Sequence, residues 1–265
     1  MNSLSRQPKL LCIHAHPDDE ALWTGGVLAR AAAHGTRTAV VTCTNGVLAE
    51  GESFARPGTR LDELGRSLRI LGAGEPQVLG YRDSGSRGSG DGSLCSAPRE
   101  EVVGQLVEVL RREQPDVVVT YDAYGIYGHP DHIRTHEVAV AAVEAAALPK
   151  LYPDAGAVWT VGELWLATVP MSVAAELGRA GLQPDRTFVP DDQVDTIVDV
   201  RPWLDIKWQA LSAHVSEFAR GGALTALERT DLRELALGTE YYLCWRAGLG
   251  PGPMEWSRSR HSVNQ

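Results

Sequence analysis

The chain has 265 residues, 43% of them hydrophobic and 22% charged, the mix of an ordinary folded protein with room for a sizeable core, which excludes disordered, collagenous and coiled-coil readings. Acidic residues outnumber basic ones by 34 to 25, for a formal net charge of −9, and no dense Lys/Arg run interrupts that balance. Neither a nucleic-acid backbone nor an anionic membrane surface is therefore expected as a partner.

Lys9 to His14 is an apolar run that reads as a strand. Ala21, Leu22, Val27, Leu28 and Ala31 then recur at helical spacing from Glu20 to Ala33, before Gly35 ends the helix. Thr38 to Thr42 is β-branched and reads as a second strand, followed by a helix from Leu61 to Leu71 that stops at Gly72. Val102 to Leu110 suits a helix, Asp116 to Thr120 holds the Val117-Val118-Val119 run of a buried parallel strand, and Asp131 to Ala147 suits a helix. Repeated strand–helix units imply an α/β, Rossmann-like, mostly parallel sheet with helices on both faces.

Beyond Pro149 prolines become frequent, with strands expected at Glu163 to Ala167 and Thr196 to Val200 and a helix from about Pro202 to Phe218. Six of the seven tryptophans lie in this half, of which Trp165 and Trp208 are expected in the core. No long polar linker divides the chain, so residues 1–265 read as a single domain. Residues 1–150 are expected to form its Rossmann-like part, and 151–265 an integral, irregular α+β part. Ser84 to Ser93 (SGSRGSGDGS) reads as a mobile rim loop. The opening residues lack a charged head followed by an apolar stretch, and no run approaches the roughly 20 apolar residues of a membrane span, so a cytoplasmic location is expected. Cys12, Cys43, Cys95 and Cys244 form no CxxC pair and read as reduced, buried thiols.

The chemistry is concentrated in a tripeptide that occurs twice, in His16-Pro17-Asp18-Asp19 and in His129-Pro130-Asp131-His132. At this composition, chance expects about 0.03 copies per chain. Helix capping and the helix dipole account for the acids, but they do not ask for the histidines. Both copies lie where an expected strand gives way to a helix, the position at which parallel sheets bind ligands. His16, Asp19 and His132 make a three-ligand set suited to Zn2+ with one position open for water, whose pKa the metal lowers to about 7; such sets also accept iron or cobalt. Asp18 is left over as a base for that water. His129 is left over as an imidazolium that stabilises an oxyanion or protonates a leaving nitrogen. This is the equipment of metal-assisted hydrolysis of an acyl bond.

These residues resemble the PIG-L/LmbE-like zinc N-acetylglucosaminyl deacetylases, whose paired signature is matched by Ala15 to Glu20 and His129 to His132. Arg60-Leu61-Asp62-Glu63-Leu64, Tyr81-Arg82-Asp83-Ser84-Gly85, and Lys207 with His214-Val215-Ser216 extend the likeness. The resemblance implies zinc on His16, Asp19 and His132, a general base at Asp18, a helper at His129 and a mobile active-site tyrosine at Tyr127. It also implies that Arg60 and Asp83 hold sugar hydroxyls or phosphate-like groups. The implied reaction removes acetate from an N-acetylglucosaminyl small molecule, and either Asp18 or His129 protonates the leaving amine. The substrate classes it implies are glycosylated antibiotics, the glucosaminyl-inositol of the mycothiol pathway and mycothiol conjugates. The chain is short for a mycothiol-pathway member and tryptophan-rich in its second half, which makes a bulky natural-product sugar plausible. Glu217 stands where related chains carry Gln. The rival from another class is a non-catalytic sugar-binding module with a structural metal, against which the retained Asp18 and His129 argue.

Trp23, three residues past Glu20, is expected to wall the pocket. His14 reads as a core histidine, and His136 as a residue that supports the site or faces solvent, because Ile133 breaks the HExxH pattern. The Gly-rich segment after Ser84 lacks the Gly-Lys-Ser/Thr of a phosphate loop, Pro76 spoils the partial dinucleotide fingerprint at Gly72 to Gly74, and no GxSxG is present.

Overall fold

The computed structural model describes residues 7–50, 56, 58–182, 188–221 and 223–245. Aliphatic and β-branched runs form β1 (Lys9–His14), β2 (Arg37–Leu48), β3 (Gln77–Asp83), β4 (Val117–Tyr121) and β5 (Glu163–Thr168). Between them run α1 (Asp19–Ala33), α2 (Thr59–Leu71), α3 (Arg99–Glu113), a one-turn α4 (Gly125–Gly128) and α5 (Pro130–Ala146). These five strands pair in parallel, as the alternation of strand and helix signals predicts. The remainder adds α6 (Met171–Arg179), β6 (Thr196–Asp199), α7 (Leu204–Ser212), α8 (Val215–Arg220), α9 (Ala223–Ala226), α10 (Thr230–Leu237) and β7 (Thr239–Trp245). β7 enters antiparallel between β5 and β6, completing one sheet of order β3-β2-β1-β4-β5-β7-β6.

Successive strand residues point to opposite faces, so β1 feeds two cores. Leu10 and Cys12 join Val27, Leu28, Leu64, Leu68, Trp165 and Tyr242 on one face. Leu11 and Ile13 join Val102, Leu106, Leu110, Val138 and Val143 under α3 and α5 on the other. Where α1 passes Val200, only glycine fits: a Cβ on Gly26 would lie 2.4 Å from Val200 Cβ. The adjoining backbone is tied across the chain by Glu240, which accepts from Gly26 N (2.8 Å), Val27 N (3.0 Å), Tyr242 Oη (2.9 Å) and the buried Lys207 Nζ (2.7 Å).

Three local expectations change. The helix expected from Pro202 to Phe218 is broken between α7 and α8, because His214 leaves helical geometry (φ −84°, ψ 59°) with its ring buried against Glu20, 2.7 Å away. The Ser84 to Ser93 segment is pinned at both ends: Ser84 and Ser93 are buried, Leu94 N and Arg82 N bond back across it, and Ser84 touches the site. Of the thiols, Cys12 and Cys43 are buried, whereas Cys95 and Cys244 are half-buried. Among the described residues no helix is long and apolar enough to cross a membrane.

Candidate active site

Strand order reverses between β1 and β4: the chain proceeds outward through β2 and β3 on one side and through β5 on the other. That switch point leaves a crevice beyond the carboxyl ends of the two strands. One His-Pro-Asp follows β1 and the other opens α5 after β4, so the topology brings the two motifs together there.

His16 Nδ1 lies 3.3 Å from His132 Nε2 and 3.4 Å from Asp19 Oδ2, and His132 Nε2 lies 3.4 Å from Asp19 Oδ1. All three side chains are buried. Two imidazole nitrogens and a carboxylate facing one point in a dry setting fit a divalent cation bound by N and O ligands. A second grouping, His16 with Asp83 and His129, is equally compact, but hydrogen bonding argues against it. His16 Nε2 already faces Asp131 Oδ2 at 3.2 Å, which fixes its proton there and leaves Nδ1 as the free lone pair. His129 Nδ1 accepts the Asp131 backbone N–H at 3.2 Å, capping α5, so its own proton sits on Nε2 and that nitrogen cannot ligate.

The same bond bears on charge. Burial, then His16 and His132, push His129 down to about 4, a direction that favours a neutral N–H donor over the imidazolium expected from the sequence. Its Nε2 points toward Asp83 Oδ1, 3.9 Å away. Asp83 accepts from Gly85 N (2.8 Å); burial opposes its charge, but His16, Gly85 N–H and His129 together hold it below the usual carboxylate range.

Asp18 sits at the entry to α1 with φ 125°, strained for a residue with a side chain. Burial pushes its carboxyl up to about 7 against the pull of Arg60. Arg60 is buried and its two terminal nitrogens face four protein oxygens: Pro17 O (2.6 Å) and Asp18 Oδ2 (3.2 Å) from one, Gly46 O (3.1 Å) and Glu217 Oε1 (3.3 Å) from the other. Arg60 therefore braces Asp18, and the expectation that it reaches for sugar hydroxyls has no free terminal donor to rest on. Glu217 also holds Arg220 at 2.7 Å.

Tyr127 stands 44% exposed at the mouth, its Oη 3.5 Å from His132 Nε2. It follows Ile126 (φ 63°, ψ −63°), on a segment in which Gly125 and Gly128 also have positive φ. Trp23 stacks on it, ring centroids 6.3 Å apart. Trp165 lies in the core, and Trp208 packs against its edge. His14 is a core residue bonded to Thr24 Oγ1 at 2.9 Å, and His136 Nδ1 donates to Tyr121 O at 2.8 Å, away from the ligand set.

Two further buried residues had no role assigned from the sequence. Asp131, inside the second motif, orients His16 and is itself held by Ser84 N (2.8 Å), Ser84 Oγ and Cys95 Sγ (3.3 Å). Tyr121, the last residue of β4, stacks on His132 (4.2 Å, 6°) and donates to Asp19 Oδ2 at 2.7 Å. The repeated tripeptide gave a signal for the first; nothing local marks the second.

Residues 11–143 match the family model described as PIG-L, GlcNAc-PI de-N-acetylase. Over 273 residues the chain is 40% identical to the 1D-myo-inositol 2-acetamido-2-deoxy-alpha-D-glucopyranoside deacetylase of Rhodococcus jostii (strain RHA1), covering 91% of this chain and 93% of that one. The chain belongs to the PIG-L family. Among solved structures, this PIG-L protein resembles the N,N'-diacetylchitobiose deacetylase of Pyrococcus horikoshii, with TM-score 0.67 at 23% identity over 93% of this chain and 87% of that one. It also resembles the 4-carboxy-2-hydroxymuconate hydratase GalB of Pseudomonas putida KT2440, with TM-score 0.61 at 18% identity over 94% and 100%. At those identities the likeness is one of fold, and the hydratase illustrates that fold alone does not assign chemistry. The family and the curated relative make this chain a deacetylase, an enzyme that hydrolyses an acetamide.

Proposed function

We propose that the protein is a zinc-dependent deacetylase of an N-acetylglucosaminyl-inositol pseudo-disaccharide. The observation that carries this is the 40% identity to a deacetylase of that substrate over nearly the full length of both chains. It outweighs the preference for a bulky antibiotic sugar drawn from a short chain, since 93% of the relative is spanned.

His16, Asp19 and His132 would hold the zinc, which supplies a Lewis acid for the acetamide oxygen and an acidified water. Asp18, with a pKa near neutrality and Arg60 fixing its carboxylate, is placed to take the proton of the water whose oxygen attacks the acetyl carbon. The neutral His129 donates Nε2–H to the oxyanion that forms, with Tyr127 Oη beside it. When the C–N bond breaks, the proton held by Asp18 passes to the nitrogen, and acetate and a free amine leave. His129, with Nδ1 committed to Asp131 N–H, has no second proton to give.

The test is mass-spectrometric detection of free amine after zinc-loaded protein meets N-acetylglucosaminyl-inositol, N-acetylglucosamine, a mycothiol conjugate and N-acetylglucosaminylated glycopeptide and aminoglycoside scaffolds, with Asp18→Asn as the blank. Product from the inositol sugar at a kcat/KM at least tenfold above the others is expected. Turnover confined to another scaffold would reassign the substrate, and metal binding without turnover of any would favour a binding module.

A further inference from the structure

We propose that Trp23 is a positioning residue for Asp19, fixing through its indole N–H the carboxylate oxygen that faces the cation. The inference rests on the assignment of His16, Asp19 and His132 as the metal site. Asp19 Oδ2 accepts two hydrogen bonds, from Tyr121 Oη at 2.7 Å and from His16 N at 2.8 Å, which occupy both of its acceptor sites. Oδ1 accepts one, from Trp23 Nε1 at 3.2 Å, and lies 3.4 Å from His132 Nε2. The single open acceptor site of this buried carboxylate is therefore on Oδ1, the oxygen Trp23 holds.

Local geometry makes the contact possible. Trp23 follows Asp19 by one turn on α1, so both side chains share a helix face. The indole is seated against the Tyr127 ring, and its N–H, which needs an acceptor when taken out of water, finds one in Oδ1. Three donors thus define the carboxylate's rotation, two on one oxygen and one on the other. Tyr121 and His16 N–H belong to the strand end and the motif itself, whereas Trp23 is a side chain that can be exchanged without touching either. Loss of its N–H frees the carboxylate to turn about χ2, and loss of such an outer partner weakens metal binding by roughly 10–100-fold in comparable sites.

Two substitutions separate donation from packing. Trp23→Phe keeps an aromatic ring and removes the donor; Trp23→Gln removes the ring and offers an amide N–H to Asp19 from the same helical position. Zinc affinity is measured by competition with a chromogenic chelator, and thermal melts of the metal-free proteins check folding. The expected result is an affinity loss of about 10–100-fold for Trp23→Phe, with Trp23→Gln recovering most of it. Wild-type affinity in Trp23→Phe, or equal losses in both variants, overturns the proposal, the second outcome by showing that the ring and not the N–H matters. Zinc affinity unchanged in His16→Ala would instead overturn the assignment of the metal site.

Discussion

Asp131 and His129 are locked to each other through the backbone: the Asp131 N–H donates to His129 Nδ1 at 3.2 Å while the Asp131 carboxylate faces His16 Nε2 at 3.2 Å. One residue thereby contacts both histidines, an arrangement that suits His16 to offer Nδ1 as a ligand and His129 to donate through Nε2.

If His129 is a donor and not a ligand, its replacement must separate catalysis from metal content. His129→Ala should retain one zinc per chain and lose about 10²–10³-fold in kcat, the range for a missing oxyanion donor. His132→Ala should lose the metal. Elemental analysis of the two purified variants, alongside kcat, decides the point; metal-free His129→Ala would return that histidine to the ligand set.

Asp131→Asn keeps the size of the side chain and replaces one carboxylate oxygen with an amide. Zinc affinity should fall by about 10–100-fold, because His16 Nε2–H loses a charged acceptor and Nδ1 becomes a poorer donor to the metal. Equilibrium dialysis against graded zinc measures this directly.

Lys207 and Glu240 are both buried and 2.7 Å apart. Lys207→Met leaves the Glu240 carboxylate among neutral donors without its cation, for an expected loss of about 3 kcal/mol in urea unfolding, as for other broken buried pairs. The double change Lys207→Met with Glu240→Gln should recover part of that loss, since no uncompensated charge remains.

The buried His214 and Glu20 form a second such pair with a pH signature. Burial works against both charges, but Glu20 holds His214 above its ordinary 6.5, and His214 and Ser67 hold Glu20 below its ordinary 4.5. The histidine's contribution is complete below pH 6.5 and is lost as pH rises through its raised folded value. The glutamate's is complete above pH 4.5 and is lost as pH falls through its lowered one. The stability gap between wild type and His214→Ala, about 3 kcal/mol for a broken buried pair, should be widest between pH 4.5 and 6.5 and narrow toward alkaline pH. Unfolding midpoints across pH 4 to about 9 measure it; a gap that stays constant would remove the ion pair from the account.

Much of this protein was legible in one dimension because the relevant patterns are local. Leu10 to Ile13 and Val117 to Val119 are hydrophobic without interruption because both faces of a parallel strand are covered. His16 and Asp19 share one short turn, so their convergence needs no knowledge of the rest of the chain, and the repeated His-Pro-Asp announced a second half to the site.

What remained hidden depends on contacts between segments far apart in sequence. β7 carries no pattern that marks its antiparallel place between β5 and β6, since pairing partners rather than propensity decide it. The sequence by itself determined the alternating fold and singled out His16, Asp19, His132 and Asp18 as candidates, through periodicity and the spacing of donor atoms. Only the tertiary structure decided that Arg60 braces Asp18, that Tyr121 holds Asp19 and Asp131 faces His16, and that burial among His16 and His132 lowers the His129 pKa. Those properties arise from burial and from hydrogen bonds that the sheet's switch point closes between β1, β4 and their flanking loops.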